Sequence, residues 1–101
     1  MWTAKFKAII EERDNKVMDL WIEKCSPILD ANENLIQDLL KIGKKDPTFE
    51  VTIPYSSILE PGLDMLDSIA KRLSDKYGVL IGIKPVNLST NWTLRFFITV
   101  K

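Results

Sequence analysis

The side chains that most often perform covalent or acid–base chemistry are scarce in this chain. It has no histidine and a single cysteine, Cys25, so neither a serine–histidine–aspartate triad nor a cysteine–histidine dyad can form. Cys25 falls on the apolar side of a predicted helix, where a buried and unreactive thiol is expected. A single cysteine also excludes an intrachain disulfide.

One pair of carboxylates has a spacing that suits a divalent cation. Asp64 and Asp67 lie three residues apart on a predicted helix and can therefore face the same side. Solvated acidic residues on helix surfaces are far commoner than such sites, and Asp64 also suits the positive end of the helix dipole. Zinc ligands are lacking, and the four glycines are too scattered for a phosphate-binding loop. We therefore predict no catalytic residue, no metal and no cofactor, and a small carboxylate enzyme ranks last among the hypotheses.

A different kind of chemistry is nucleic-acid binding by an aromatic side chain among basic ones. Lys84, Arg95 and Lys101 can surround Phe97 on one face of a predicted sheet, as in single-strand binders that stack bases. The formal net charge is zero, so the molecule as a whole has no electrostatic attraction to nucleic acid. Nucleic-acid or nucleotide binding by these four residues is the alternative hypothesis.

The elements that position these residues follow from the apolar pattern. Helical spacing predicts a first helix over about residues 3–24. Ser26-Pro27 should interrupt it, because proline removes a helical hydrogen bond and disfavours the α conformation of the preceding residue. A second helix would begin at Ser26-Pro27, or at Asp30 with Glu33 completing a capping box, and would end at Gly43.

After Gly43 the pattern predicts three strands and one more helix. The first strand is the alternating stretch 49–55, and a helix over about 61–77 follows and stops at Gly78. The other two strands are 79–85 and 92–101, joined by a turn-rich loop. The order α-α-β-α-β-β defines one α+β domain over residues 1–101, with a helical pair in 1–43 and a β-α-β-β unit in 49–101.

The connections constrain the sheet. The first and second strands flank a helix, which favours a parallel, right-handed crossover and a mixed three-stranded sheet. Strand orders 1-2-3 and 1-3-2 both fit, and we favour 1-3-2 because the third strand is the longest, carries Phe97 on its otherwise polar face, and leaves Pro54 at an edge. If the N-terminal helices cover the Arg95–Phe97 face, the domain has three closed layers. If they pack beside the third helix, that face is open.

The first two helices carry more large apolar side chains than a three-stranded sheet can easily cover. Such a surplus is what a partner helix or a second copy buries. We therefore expect a non-catalytic interaction module, a small regulatory or inhibitory accessory protein that binds a protein partner or itself as a homodimer. The expected interface consists of Phe6, Ile10, Val17, Trp21, Leu35 and Leu39.

Composition indicates the setting in which the protein acts. Apolar residues make up 46% and charged residues 28% of the chain, which is ordinary for a globular domain. The start of the sequence has no signal-peptide pattern, and the longest apolar run is too short to cross a membrane. We expect no membrane partner and a cytoplasmic location. The 11 lysines against 3 arginines and the 12 isoleucines suggest AT-rich coding, as in phages or mobile elements, for which the compartment is the host cytoplasm.

Overall fold

The computed structural model describes residues 1–54, 63–87 and 91–100. Within these ranges the elements are α1 (Trp2–Ala31), α2 (Glu33–Lys41), β1 (Thr48–Pro54), α3 (Leu63–Tyr77), β2 (Leu80–Asn87) and β3 (Asn91–Thr99). Their order is the predicted α-α-β-α-β-β, so the α+β class is confirmed. The start of the predicted third helix at Pro61 and the end of the predicted last strand at Lys101 lie outside the described residues.

The helix α1 continues through the position where the sequence predicts a break. Pro27 lies inside it with an exposed side chain. The helix ends instead at Asn32, whose side-chain Nδ2 donates a hydrogen bond of 2.7 Å to the carbonyl of Ile28. A second helix beginning at Ser26 or Asp30 is therefore wrong, because packing of the last turn against the core outweighs the single hydrogen bond that proline removes.

The three strands form a sheet in the order β1-β3-β2, as favoured above. Both pairings are antiparallel, with Phe49 opposite Phe96 and Ile81 opposite Ile98. The strands β1 and β2 run parallel to each other but on opposite sides of β3, so no parallel pair forms. The prediction of a mixed sheet is wrong for this reason, although β1 and β2 run in the same direction, as expected.

The core lies between one face of the sheet and a layer made by α1 and α3. The buried side chains of all three strands point to this face, and the indole rings of Trp21 on α1 and Trp92 on β3 meet edge to face at 5.5 Å. The N-terminal helix therefore packs beside α3, and the molecule has two layers rather than three. The buried sheet residues are Phe49, Ile53, Ile81, Ile83, Trp92, Leu94, Phe96 and Ile98.

Polar contacts fix α1 against α3 and α3 against the sheet. Lys76 Nζ donates to the hydroxyl of the buried Ser26 at 2.8 Å, and Arg72 pairs with Asp19 at 3.0 Å. Ser74 on α3 accepts the backbone N–H of Ile81 at 2.8 Å. These contacts hold the second half of α1, from residue 17 onward, to the body of the domain.

Candidate functional site

The first half of α1 projects from the domain. Residues 2–16, called here the projecting segment, are exposed apart from the half-buried Asp14, and Val17 is the first buried residue of the chain. The molecule is consequently elongated, 57 Å in its longest dimension against 31 and 19 Å in the others. Side chains on the projecting segment are available to other molecules.

Four large apolar side chains lie along one side of the projecting segment. Their exposed fractions are 75% for Trp2, 51% for Phe6, 58% for Ile9 and 48% for Ile10. The rings of Trp2 and Phe6 lie 5.9 Å apart. We call these four residues the apolar stripe, since a helix places residues three and four apart on the same side.

The stripe corrects the expected interface in two respects. Val17 and Trp21, expected to face a partner, belong to the core of the domain, with exposed fractions of 4% and 0%. The reason is that α1 meets α3 and the sheet from residue 17 onward. Trp2 and Ile9 are the most exposed members of the apolar stripe but are absent from the expected interface. Their helical spacing from Phe6 is the signal that would have included them.

The two residues expected on the second helix lie elsewhere. Leu35 is exposed and Leu39 half-buried on α2, which follows the opposite end of α1. Ile10 and Asn32 are separated by a distance of roughly 30 Å along the helix at 1.5 Å per residue. The structure therefore does not unite Leu35 and Leu39 with Phe6 and Ile10 in one surface.

Beneath α2 lies an open apolar groove of about 340 Å³. The Tyr77 hydroxyl stands at its rim, where it donates to Asp30 Oδ1 at 2.9 Å and lies 3.0 Å from the carbonyl of Ser26. Desolvation, followed by the hydrogen bond to Asp30, raises the pKa of Tyr77 above its ordinary value. The groove is lined mainly by apolar side chains from α1, α2, β2, β3 and the connection between α3 and β2, among them Leu29, Ile36, Leu40, Val79, Ile81 and Ile98.

Among the described elements, α1 and α3 both pack on the other face of the sheet and neither covers its second face, the arrangement in which the alternative hypothesis leaves the face open. Lys84 Nζ lies over the Phe97 ring, 5.2 Å from its centroid, and Phe97 is half-buried opposite Gly82. Arg95 is exposed, but its guanidinium pairs with Glu50 on the neighbouring strand. The structure thus brings Lys84, Arg95 and Phe97 together, while Lys101 lies outside the described residues.

The remaining candidates for chemistry are one buried thiol and two exposed carboxylates. Burial raises the pKa of the Cys25 thiol from 9.0 to about 12, which keeps it protonated at neutral pH. Asp64 and Asp67 are both exposed, and in the part of the chain that the structure describes no three acidic, cysteine or histidine side chains cluster as metal ligands would. None of the described helices has the length and apolar character that crossing a membrane requires.

No model of a protein family, no curated protein and no solved structure matches this chain. The function is therefore inferred from the surfaces themselves. Of these, the stripe on the projecting segment combines the largest exposed apolar side chains with a rigid helical support that the core holds in place.

Proposed function

We propose that the protein is a non-catalytic interaction module that binds a protein partner through the projecting segment of α1. The observation that carries this proposal is the apolar stripe, in which four large apolar side chains stand in water on a helix whose other half is fixed to the core. Scattered apolar residues on a surface need no explanation, but a contiguous row on one side of a helix is typical of an interaction site.

The spacing of the stripe matches a known mode of recognition. Trp2, Phe6, Ile9 and Ile10 provide anchors at positions i, i+4, i+7 and i+8, the pattern with which an amphipathic helix contacts an apolar groove or another helix. Burial of such side chains stabilises a complex by about 1.5–3 kcal/mol each before the costs of association are counted. In this proposal the protein acts by occluding or adapting its partner, the regulatory or inhibitory role expected from the sequence.

A charge placed in the stripe should abolish binding and leave the fold intact. Ile9→Glu is the test variant, and Ala8→Glu introduces the same side chain one position away, on the side of the helix that faces away from the stripe. The wild type and both variants are used as baits in extracts of the cell that expresses the protein, and the bound proteins are identified by mass spectrometry.

We expect one partner, which can be the protein itself, to bind the wild type and Ala8→Glu and to be lost from Ile9→Glu. The three proteins should have the same circular dichroism spectrum and melting temperature. A partner that binds Ile9→Glu as well as it binds the wild type contradicts the assignment of the stripe.

The open sheet face supports a second candidate, binding of single-stranded nucleic acid. The face carries Arg95 and Lys84 beside the Phe97 ring, and such an arrangement binds phosphates and stacks bases. The ion pair between Glu50 and Arg95 and the position of Lys84 over the ring both reduce what a nucleic acid would gain. We therefore rank this candidate below the stripe.

The second candidate predicts binding that salt weakens. Fluorescence anisotropy with a labelled single-stranded oligonucleotide should show an affinity that falls steeply as salt is added. Arg95→Ala should weaken that binding, and Glu50→Gln should strengthen it, because it frees the guanidinium from its carboxylate partner. Absence of salt-sensitive binding to DNA and RNA probes excludes this candidate.

A further inference from the structure

We propose that the partner of the projecting segment is a second copy of this chain, and that the two segments pack against each other as antiparallel helices. This inference rests on the proposed function and identifies the occupant of the same surface. It is carried by two further features of residues 2–16, which are the position of Arg13 within the stripe and the order of the charges along one flank.

The stripe continues in coiled-coil spacing up to Arg13. Trp2, Phe6, Ile9 and Arg13 are separated by four, three and four residues, the alternation of the two core positions of a heptad. Only Arg13 breaks the apolar character of this seam, and its side chain is exposed, with an ion pair to the adjacent Asp14 at 2.9 Å. The orientation of the second helix determines what faces Arg13.

An antiparallel second copy places an aromatic ring opposite Arg13. The heptad places Phe6 and Arg13 at a positions and Trp2 and Ile9 at d positions. In an antiparallel pair each a position faces a d position of the other helix, so Phe6 lies opposite Ile9 of the second copy and Trp2 lies opposite its Arg13. The guanidinium then lies against an indole face, the most favourable ring for a cation. A parallel arrangement would place Arg13 against Arg13, two like charges in the centre of the contact.

The charges on one flank of the seam favour the same orientation. Lys5 and Glu12 occupy equivalent flanking positions, seven residues apart. In the antiparallel alignment above, Lys5 lies beside Glu12 of the second copy, and the two-fold axis repeats the pair. In a parallel alignment Lys5 lies beside Ile10 instead, and no ion pair forms. The segment is thus complementary to itself in one orientation only.

Glu12 pairs with Lys16 of its own helix at 3.5 Å, but the order of the charges along the segment does not suit the dipole of an isolated helix. The first turn of α1 contains no acidic residue, and Lys5 lies near the positive end of the helix dipole while Glu11 and Glu12 follow further along. A lone helix is favoured by the opposite order. An antiparallel neighbour accounts for the observed order, since it sets the acidic part of one helix beside the basic part of the other.

The length of the projecting segment fits this contact. With Trp2 opposite Arg13, the helices overlap over about twelve residues, or roughly 18 Å. The overlap ends at Arg13, which together with Asp14 lines a cleft beside Asp64, Met65 and Ser68 of α3. The start of the second copy's helix therefore lies at the edge of the body, and the two bodies lie at opposite ends of the contact. So short an overlap buries less than the ~1,200 Å² of a standard stable interface, and we expect a dimer that dissociates in the micromolar range.

Charge reversal tests the orientation without removing any apolar side chain. Lys5→Glu and Glu12→Lys each turn both symmetry-related ion pairs into like-charge pairs, and each should weaken self-association about tenfold. An equimolar mixture of the two variants should regain wild-type association. In the mixed dimer the carboxylate introduced at position 5 meets the ammonium introduced at position 12, while the unchanged Glu12 of one chain meets the unchanged Lys5 of the other. The measurement is analytical ultracentrifugation over a range of concentrations at low ionic strength, where charge interactions are least screened.

The matched control for Glu12→Lys is Glu11→Lys. It makes the same charge change on the side of the helix that faces away from the seam and should leave self-association unchanged. Lys5→Glu improves the complement of the helix dipole, so loss of the fold does not imitate the expected result for this variant. Glu12→Lys also loses the ion pair with Lys16, and its circular dichroism spectrum is compared with that of the wild type. The inference is supported by a wild type that dimerises, two variants that dimerise about tenfold more weakly, and a mixture that regains the wild-type affinity.

Two outcomes overturn the inference. One is a wild type that remains monomeric up to about millimolar concentration, and the other is a dimer that neither reversal weakens. A monomer whose Ile9→Glu variant loses a different protein in the capture experiment leaves the proposed function standing with another partner. A dimer unaffected by the reversals and by Ile9→Glu contradicts the inference. The proposed function is contradicted as well if the capture experiment yields no protein that Ile9→Glu loses.

Discussion

The single cysteine illustrates how the environment of one residue determines its chemistry. Cys25 is fully buried on α1, in the same apolar core as Trp21 and Leu29. Desolvation raises the pKa of its thiol to about 12, and nucleophilic reactions of cysteine require the thiolate. The thiol should therefore be inert in the folded protein and should become reactive only when the core opens.

Cys25 consequently reports on unfolding. We expect an aromatic disulfide reagent to leave the native protein unmodified at pH 8 and to react with one thiol per chain in denaturant. Rapid reaction of the native protein under conditions in which it does not unfold would show that the helix does not pack as described.

The same shift makes stability depend on pH. The pKa of Cys25 in the folded protein is raised above the unfolded value of 9.0. The contribution of the buried thiol to the free energy of unfolding is therefore fully present below pH 9 and is lost as pH rises toward 12. The slope is at most about 1.4 kcal/mol per pH unit. Urea unfolding of the wild type and Cys25→Ala at pH 8 and pH 10.5 isolates this contribution, because Tyr77 and the lysines titrate in both proteins.

At the scale of the element, Pro27 separates what sequence reasoning can predict from what it cannot. A proline inside a helix removes one hydrogen bond and crowds the preceding turn, which is why a break is the natural expectation. In the structure the same turn contains the buried Ser26 and, two residues further on, Leu29, and Ser26 accepts from Lys76. Contacts with a helix fifty residues away in the chain keep the turn helical. Helix propensity depends on the local sequence alone and cannot predict such contacts.

A substitution tests the continuity of α1. If the helix runs through residue 27, Pro27→Ala restores the missing N–H and should raise the free energy of unfolding by about 1–2 kcal/mol, after allowance for the greater freedom of the unfolded chain. Chemical denaturation provides the measurement. An unchanged or lower stability would indicate that the helix breaks at Ser26-Pro27 after all.

The strands were more predictable than the helices, because alternating apolar residues directly indicate which side chains share one face of a sheet. Trp92, Leu94, Phe96 and Ile98 alternate along the sequence of β3 and therefore lie on one face, and all four are buried. Pro54 correctly favoured an edge position for β1. Both antiparallel pairings follow from the strand order once β1 and β2 run in the same direction. The expectation of a mixed sheet failed because it did not carry the favoured order 1-3-2 through to the pairing directions.

The candidate surfaces were predictable only in part. The surplus of apolar residues on the N-terminal helices was apparent from the sequence, and Phe6 and Ile10 are exposed as expected. The point at which α1 leaves the core, just before Val17, was not apparent, because Ile10, Val17 and Trp21 are equally apolar and equally well spaced. Whether each faces a partner or the core depends on the length of α3 and of the sheet, which tertiary packing decides.

At the scale of the whole molecule, the division between core and projecting segment predicts two classes of substitution. Leu94→Ala, at a fully buried position of the central strand, should lower the free energy of unfolding by about 2–5 kcal/mol. Ile9→Ala should change it by less than about 0.5 kcal/mol at concentrations where the protein is monomeric. Urea unfolding of both variants checks this, and comparable losses would place the first half of α1 in the core.

The central position of β3 has a consequence for the order in which the protein can fold. Both strand pairings involve β3, the last of the three strands to leave the ribosome, so β1 and β2 have no neighbour in the sheet while the chain is being made. Until residues 91–99 emerge, the nascent chain can form helices but no sheet, and its apolar strands stay exposed to other chains. Pairing of β1 with β3 then brings Thr48 opposite Phe97, which is far from it in the sequence. Such a contact costs loop entropy and slows folding.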